Sequence, residues 1–297
     1  MENANIFDQI ASNKRKSILL SFLVFLILFG LVYIISGIFA PEFSLLILIF
    51  AIVIIFVDIF VSYNYGDKIV LKATGAKEVG DERKYTHLVN VVEGLSIAAG
   101  IPKPKIYVID SDEINAYATG KDPKHASVAV TRGALEKLDR DELEGVIGHE
   151  MSHVKNYDIR FAMIVAVLVG LVAIVSNMML RSWRYGGKSN REGKGVGLLI
   201  LVGFALAIIS PIIVRLVQLA ISRKREYLAD ASSAQLTRYP DGLADALEKI
   251  KKYNEGKMQV SEAVSHLFIS DPNKSPLDNI FATHPDIDSR IKVLRAM

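Results

Sequence analysis

No cysteine occurs among the 297 residues of this chain, so disulfides, thiolate metal ligands and thiol nucleophiles are all excluded. A marked charge imbalance is missing too. The 35 Lys and Arg residues face 32 Asp and Glu, too even a balance for a nucleic-acid surface. No internal repeat and no low-complexity tract is present, which argues against a solenoid.

Apolar residues, by contrast, make up 51% of the chain, and they are clustered rather than spread. Four nearly uninterrupted runs cover residues 18–40, 43–63, 159–180 and 197–222. Each reaches the roughly 20 residues that a helix needs to cross about 30 Å of hydrocarbon. The first is too long for a signal-peptide core and lacks a small-x-small cleavage site, so it is expected to stay as an anchor. Four parts follow: a transmembrane hairpin over 1–63, a soluble part over 64–158, a second membrane hairpin over 159–222, and a soluble part over 223–297. The two soluble parts must share one core.

Lys14, Arg15 and Lys16 precede the first run, and Lys68 and Lys72 follow the second. By the positive-inside rule, the soluble parts are then cytoplasmic. The loop 181–196 sits awkwardly with this, since it carries five basic residues against Glu192 alone. Either the loop tolerates the far side, or the third and fourth runs form a hairpin that does not fully span. Both options return the chain to the cytoplasmic side before Arg223. Asp58 and Arg215 lie near the ends of apolar runs, where snorkelling accounts for them.

Within the soluble parts, residues 83–99 predict a helix stopped by Gly100, with Pro102 beyond it. Three β-rich stretches, 105–109, 114–119 and 127–131, are separated by turn residues and predict a small antiparallel meander. Asp139 and Glu142 form a capping-box start for a helix whose apolar stripe runs through Leu143, Val146, Ile147 and Val154. Further helices are expected over 223–238, 241–252 and 286–296.

The chemistry sits on the helix after Asp139. His149 and His153 are four residues apart, so their imidazoles stand one above the other and can reach one metal ion. Glu150 lies about 100° round from His149, beside the metal, where a carboxylate can take a proton from the attacking water. A solvated helix face would leave Gly145 and Gly148 unexplained, because each glycine costs about 1 kcal/mol in a helix interior. A catalytic zinc site takes three protein ligands, and no third histidine follows at short spacing. Glu226 is the best candidate. It shares a helix face with Asp230, which can accept the N–H of a ligating histidine and fix its tautomer.

Other polar residues read two ways. His284, in Phe-Ala-Thr-His-Pro, is either a turn residue before a helix or a donor to the oxyanion of an acyl-transfer intermediate. Asn115 is either a turn residue or an amide that binds substrate backbone at a strand edge. His87 and His125 carry no supporting pattern and are taken as surface residues.

Taken together, these residues resemble the heat-shock membrane protease HtpX family and its relatives, the CaaX prenyl proteases. The likeness covers nearly the whole chain. It rests on Ile-Asn-Ala-Tyr at 114–117, Gly-His-Glu-Met-Ser-His at 148–153 and Arg-Glu-Tyr-Leu-Ala-Asp at 225–230, with His-Leu-Phe-Ile at 266–269 and Thr-His-Pro at 283–285. It implies one Zn2+ per chain on His149, His153 and Glu226, and Glu150 as catalytic base. It also implies His284 and Arg290 near the oxyanion, and Asn115 in the substrate groove. The family pattern often has a second proline where this chain has Asp286. Four apolar runs fit HtpX better than the CaaX proteases, which have more membrane helices.

The expected protein is mainly α-helical and membrane-embedded, with four transmembrane helices. They carry a cytoplasmic α+β zincin-like metalloprotease domain with a small antiparallel sheet. By resemblance it resides in the cell membrane and cleaves damaged or misassembled membrane proteins or unfolded chains, with the lipid bilayer as its other partner.

Overall fold

A computed structural model describes residues 41–80, 83–167, 223–273 and 285–297, together with Gly170 and scattered positions before residue 41. The expected run 197–222, the loop 181–196, most of 18–40 and 159–180, and His284 lie outside the described residues.

Helix α1, Ser44–Ala73, follows a 3-10 turn at Pro41–Phe43. Together they are long and apolar enough to cross a membrane, with mean hydropathy 3.2 over the most apolar stretch and none of that stretch buried. Thirty residues span about 45 Å, half as long again as the roughly 30 Å hydrocarbon layer. The helix therefore continues past the expected end at Tyr63. Polar residues Asn64, Asp67 and Lys68 mark where it leaves the apolar stretch. Its final turns dock on the soluble domain, burying Val70 and Leu71 beside Tyr117 and Phe268. Thr74 then closes the junction by sharing a 2.7 Å hydrogen bond with the Tyr117 hydroxyl.

Strands β1 (Lys77–Glu78), β2 (Lys105–Ile109), β3 (Ala116–Gly120) and β4 (Ala126–Thr131) form one sheet in the order β1-β2-β4-β3. The antiparallel meander is thus corrected to a mixed sheet. β3 and β4 form an antiparallel hairpin, but β4 inserts beside β2 and pairs with it in parallel. The cause lies in the link between β2 and β3. Asn254 takes the Ile114 N–H on its Oδ1 and donates to the Ile114 carbonyl, while the Thr131 hydroxyl accepts the Asn115 N–H. These side chains satisfy backbone groups that a β2–β3 ladder would have used, so β3 begins two residues later than expected and on the far side of β4.

Both central faces of the sheet are covered, which is why every residue of β4 is buried rather than alternate ones. On one face lie α2 (Thr86–Ala99) and α4 (Arg140–Lys155), and short α3 (Arg132–Lys137) leads from β4 into α4. Leu88, Val92, Leu143 and Ile147 pack there against Ile106, Val128 and Val130. The second face meets the end of α1, helical residues near Ala166, and the segment around Phe268. Helix α2 stops at Gly100, whose φ of 68° lets the N–H of Ile101 reach back to Ser96. Helix α4 starts on the expected capping box, with Asp139 and Glu142 each accepting from the other's backbone N–H.

After the undescribed stretch come α5 (Arg223–Thr237), α6 (Pro240–Tyr253), α7 (Glu262–Ser265) and α8 (Ile287–Arg295). Helices α5 and α6 pack across α4 where its glycines lie. A Cβ on Gly145 would stand 2.5 Å from the Leu243 nitrogen, and one on Gly148 would stand 2.7 Å from the Ser233 hydroxyl. Ser233 also donates to the Gly145 carbonyl at 2.6 Å. The two glycines thus serve helix crossing, and this crossing carries α5 down to the histidines of α4.

Candidate metal centre

His149 and His153 sit on the last turns of α4 with their ring centroids 4.7 Å apart and their planes nearly perpendicular. The two Nε2 atoms are 3.1 Å apart. Glu226, in the first turn of α5, brings Oε2 to 3.7 Å from His149 Nε2 and Oε1 to 3.6 Å from His153 Nε2. These three residues form the one group among the described residues that could hold a metal ion.

Each imidazole has its other nitrogen turned away from the shared point. His149 Nδ1 lies 2.9 Å from Asp230 Oδ1, and His153 Nδ1 lies 3.0 Å from Asp158 Oδ2. An ionised carboxylate only accepts, so each Nδ1 carries the hydrogen and each Nε2 presents a lone pair. Two lone pairs and a carboxylate facing one another at this range repel unless a cation stands between them. A tetrahedral ion with bonds of about 2.0–2.2 Å has ligand–ligand edges of about 3.3–3.6 Å, close to the three separations above. The donor set therefore fits a tetrahedral divalent metal.

Electrostatics of the surrounding groups agree. Burial pushes the His149 imidazole below its ordinary value, against the pull of Asp230. Burial acts the same way on His153, but there Asp158, Glu226 and Glu150 outweigh it and hold the ring well above the usual histidine range. The carboxylates around the two rings thus favour positive charge at this point, the charge a metal ion would bring. Asp230 is buried as well, yet Arg290 and His149 keep its carboxylate far below the ordinary range.

Behind Asp230 stands Arg290 on α8, only 1% exposed. Its Nε donates to Asp230 Oδ2 at 2.9 Å and its Nη2 to Oδ1 at 2.7 Å, a two-pronged grip. A third donor reaches the Ile269 carbonyl at 3.3 Å. Its guanidinium is thus committed on the far side of His149, and Arg290 is not among the residues that line the cavity. Asn115 is likewise turned inward. It is fully buried, donating to the Ser270 carbonyl at 2.9 Å while its own oxygen accepts from Ala116 N and Ser270 N. Its carboxamide fastens the 258–270 segment to the start of β3 and is not presented at a strand edge.

A cavity opens on the centre. Glu150, His153, Glu226, Asp158, Arg225 and His266 supply its polar wall, and Ala118, Ile159, Phe161, Ala162 and Leu267 its apolar one. The sequence reading had no role for Asp158, Arg225 or His266. The available signals were a carboxylate five residues past His153, an arginine bounding an apolar run, and the His-Leu-Phe-Ile motif.

The family model described as peptidase family M48 matches residues 82–297, a stretch that contains every residue of this centre. The chain belongs to peptidase family M48. It is 45% identical over 298 residues to a "Protease HtpX homolog" of Dictyoglomus thermophilum, covering 100% of this chain and 96% of that one. Homologues of the same description from Caldanaerobacter subterraneus and Streptococcus pneumoniae are 43% and 42% identical, with coverage of at least 98% on both sides. The crystal structure of S. mikatae Ste24p is similar in fold, with a TM-score of 0.52 at 22% identity over 96% of this chain and 67% of that one. As an M48 protein the chain is a metalloprotease, and the His149, His153 and Glu226 cluster is where it can hold its metal.

Proposed function

We propose that this M48 protein is a multi-pass, membrane-embedded zinc endopeptidase. It cleaves damaged or misassembled membrane proteins, or unfolded chains, from the cytoplasmic side. One observation carries the reading: His149, His153 and Glu226 converge on one point, and His153 and Glu226 line a cavity with Glu150, in a domain whose sheet is docked on the end of a membrane-length helix. A purely structural zinc site would be closed by four protein ligands, whereas three converge here among the described residues and an open cavity adjoins them.

When bound by His149, His153 and Glu226, a single Zn2+ supplies the Lewis acidity that polarises a scissile carbonyl and acidifies water. The remaining chemistry belongs to the chain. Glu150 takes the proton of the attacking water and hands it to the leaving amine. His284 is the proposed donor to the oxyanion, on the strength of the Thr-His-Pro motif. The substrate backbone lies along the outer edge of β3. Ala116 already spends its outward carbonyl on the Ile269 N–H, so two residues on, at Ala118, the outward amide and carbonyl face the cavity. An extended peptide pairing there passes Glu150, and the apolar wall favours an apolar side chain next to the cut bond.

Detergent-purified protein tests the reading directly. An unfolded membrane protein should be cleaved, a chelator should stop cleavage, and added zinc should restore it. A prenylated C-terminal peptide offered in parallel separates quality control from prenyl-peptide processing. Cleavage of that peptide alone would replace the proposed substrate class.

A further inference from the structure

Both histidines of the centre are backed by a carboxylate and an arginine, but the two backings differ in where they stand. His149, Asp230 and Arg290 are wholly buried between α4, α5 and α8. His153, Asp158 and Arg225 line the cavity instead. Asp158 places Oδ2 3.0 Å from His153 Nδ1 and accepts from Arg225 Nη1 on Oδ1 at 3.1 Å. The Arg225 guanidinium also lies over the Phe161 ring, 5.3 Å from its centroid.

The position of this second pair along the chain is informative. Helix α4 ends at Lys155, and Tyr157 takes a φ of 61°, a left-handed conformation that turns Asp158 back under His153. Asp158 is the last residue before the apolar run at 159–180. Arg225 is the third residue after the run that ends at 222. The ion pair therefore joins residues on either side of the segment 159–222, 67 residues apart in sequence. The carboxylate that joins them is the one that orients His153. Arg225 also adjoins Glu226, so the same end delivers the third ligand.

We propose that Asp158 and Arg225 form a clasp between the two ends of the segment 159–222 and act as positioning residues for His153, so that metal affinity depends on these ends being held together. The inference rests on the reading of His149, His153 and Glu226 as the metal site. In its working state the clasp fixes the His153 tautomer and ring plane through Asp158, and Arg225 keeps that carboxylate from swinging away.

Zinc alone is the probe. The full-length detergent-purified protein is titrated against a competing chelator as wild type, Asp158→Asn, Arg225→Gln, Arg225→Lys and the Asp158→Asn/Arg225→Gln double variant. Asp158→Asn should weaken zinc by about 10–100-fold, the range found for partners that orient a ligating histidine. Arg225→Gln should weaken it several-fold, with Arg225→Lys recovering most of that loss. In the double variant, Arg225→Gln should add little to Asp158→Asn, because it acts through that carboxylate. With cobalt in place of zinc, the visible bands should shift in Asp158→Asn, and the kcat of the zinc-saturated variants should change more than KM. Wild-type zinc affinity in Asp158→Asn, or fully additive losses in the double variant, would overturn the clasp. If Asp158→Asn does not fold, the Gln and Lys variants of Arg225 carry the comparison, and equal affinity in the two would overturn it as well. A wild-type protein that binds no zinc would overturn the metal reading itself, a result distinguishable from the others.

Discussion

Asp230 accepts the Nδ1 hydrogen of His149 at 2.9 Å, and through that contact a helix sixty residues further on, carrying Arg290, reaches the metal centre. The three groups are buried together, so the arginine and the carboxylate neutralise each other away from water. Removing one partner leaves an uncompensated buried charge. Arg290→Met should therefore lose about 3–5 kcal/mol of stability, read by thermal or denaturant unfolding in detergent. Arg290→Lys keeps the charge but not the two-pronged geometry, and should lose less. A loss below about 1 kcal/mol for Arg290→Met would contradict so tight a role.

Gly145 gives a test of packing against local propensity. Replacing it with alanine gains about 1 kcal/mol of helix propensity in an open helix. Here the new Cβ would meet the Leu243 backbone at 2.5 Å, and backbone cannot swing aside. Gly145→Ala should be destabilising on balance, by about 1–3 kcal/mol. Gly148→Ala meets only the Ser233 hydroxyl and should cost less. A stabilised Gly145→Ala would show that α4 and α6 do not cross as closely as described.

Much of this arrangement was legible in the sequence, for identifiable reasons. The four-residue spacing of His149 and His153 needs only a helix to become a site, and the Asp139 capping box and Gly100 stop are local signals that local structure obeyed. The sheet was not legible. Its order depends on Asn254 and Thr131 taking backbone groups of Ile114 and Asn115, partners up to 140 residues away that no spacing rule reveals. Arg290 and Asn115 take buried partners, Asp230 and Ser270, that their motifs do not reveal, since a motif marks proximity and not direction. Asp158 was invisible because it lies past the end of α4, and only the left-handed turn at Tyr157 brings it under His153.

Glu150 separates hydrolysis from metal binding. Glu150→Gln preserves shape and hydrogen bonding but cannot take a proton at neutral pH. Peptide hydrolysis should fall by about 10²–10⁴-fold while zinc content stays at the wild-type level. Near-normal turnover with zinc retained would remove Glu150 from the proton transfer.

The outward edge of β3 makes a further prediction. Proline at 118 removes an amide that faces the cavity rather than β4, so the ladder to β4 should survive. Ala118→Pro should raise KM several-fold for an unfolded substrate with little change in zinc content. An unchanged KM would mean that substrate does not pair with this edge.

The most direct test of the central claim is the zinc content of purified wild-type protein beside Glu226→Ala, measured by metal analysis with proteolysis followed in the same samples. Wild type should hold one zinc per chain and lose proteolysis on chelation, whereas Glu226→Ala should hold little zinc and cleave nothing. Full zinc occupancy in Glu226→Ala, or chelator-resistant cleavage by wild type, would contradict the account.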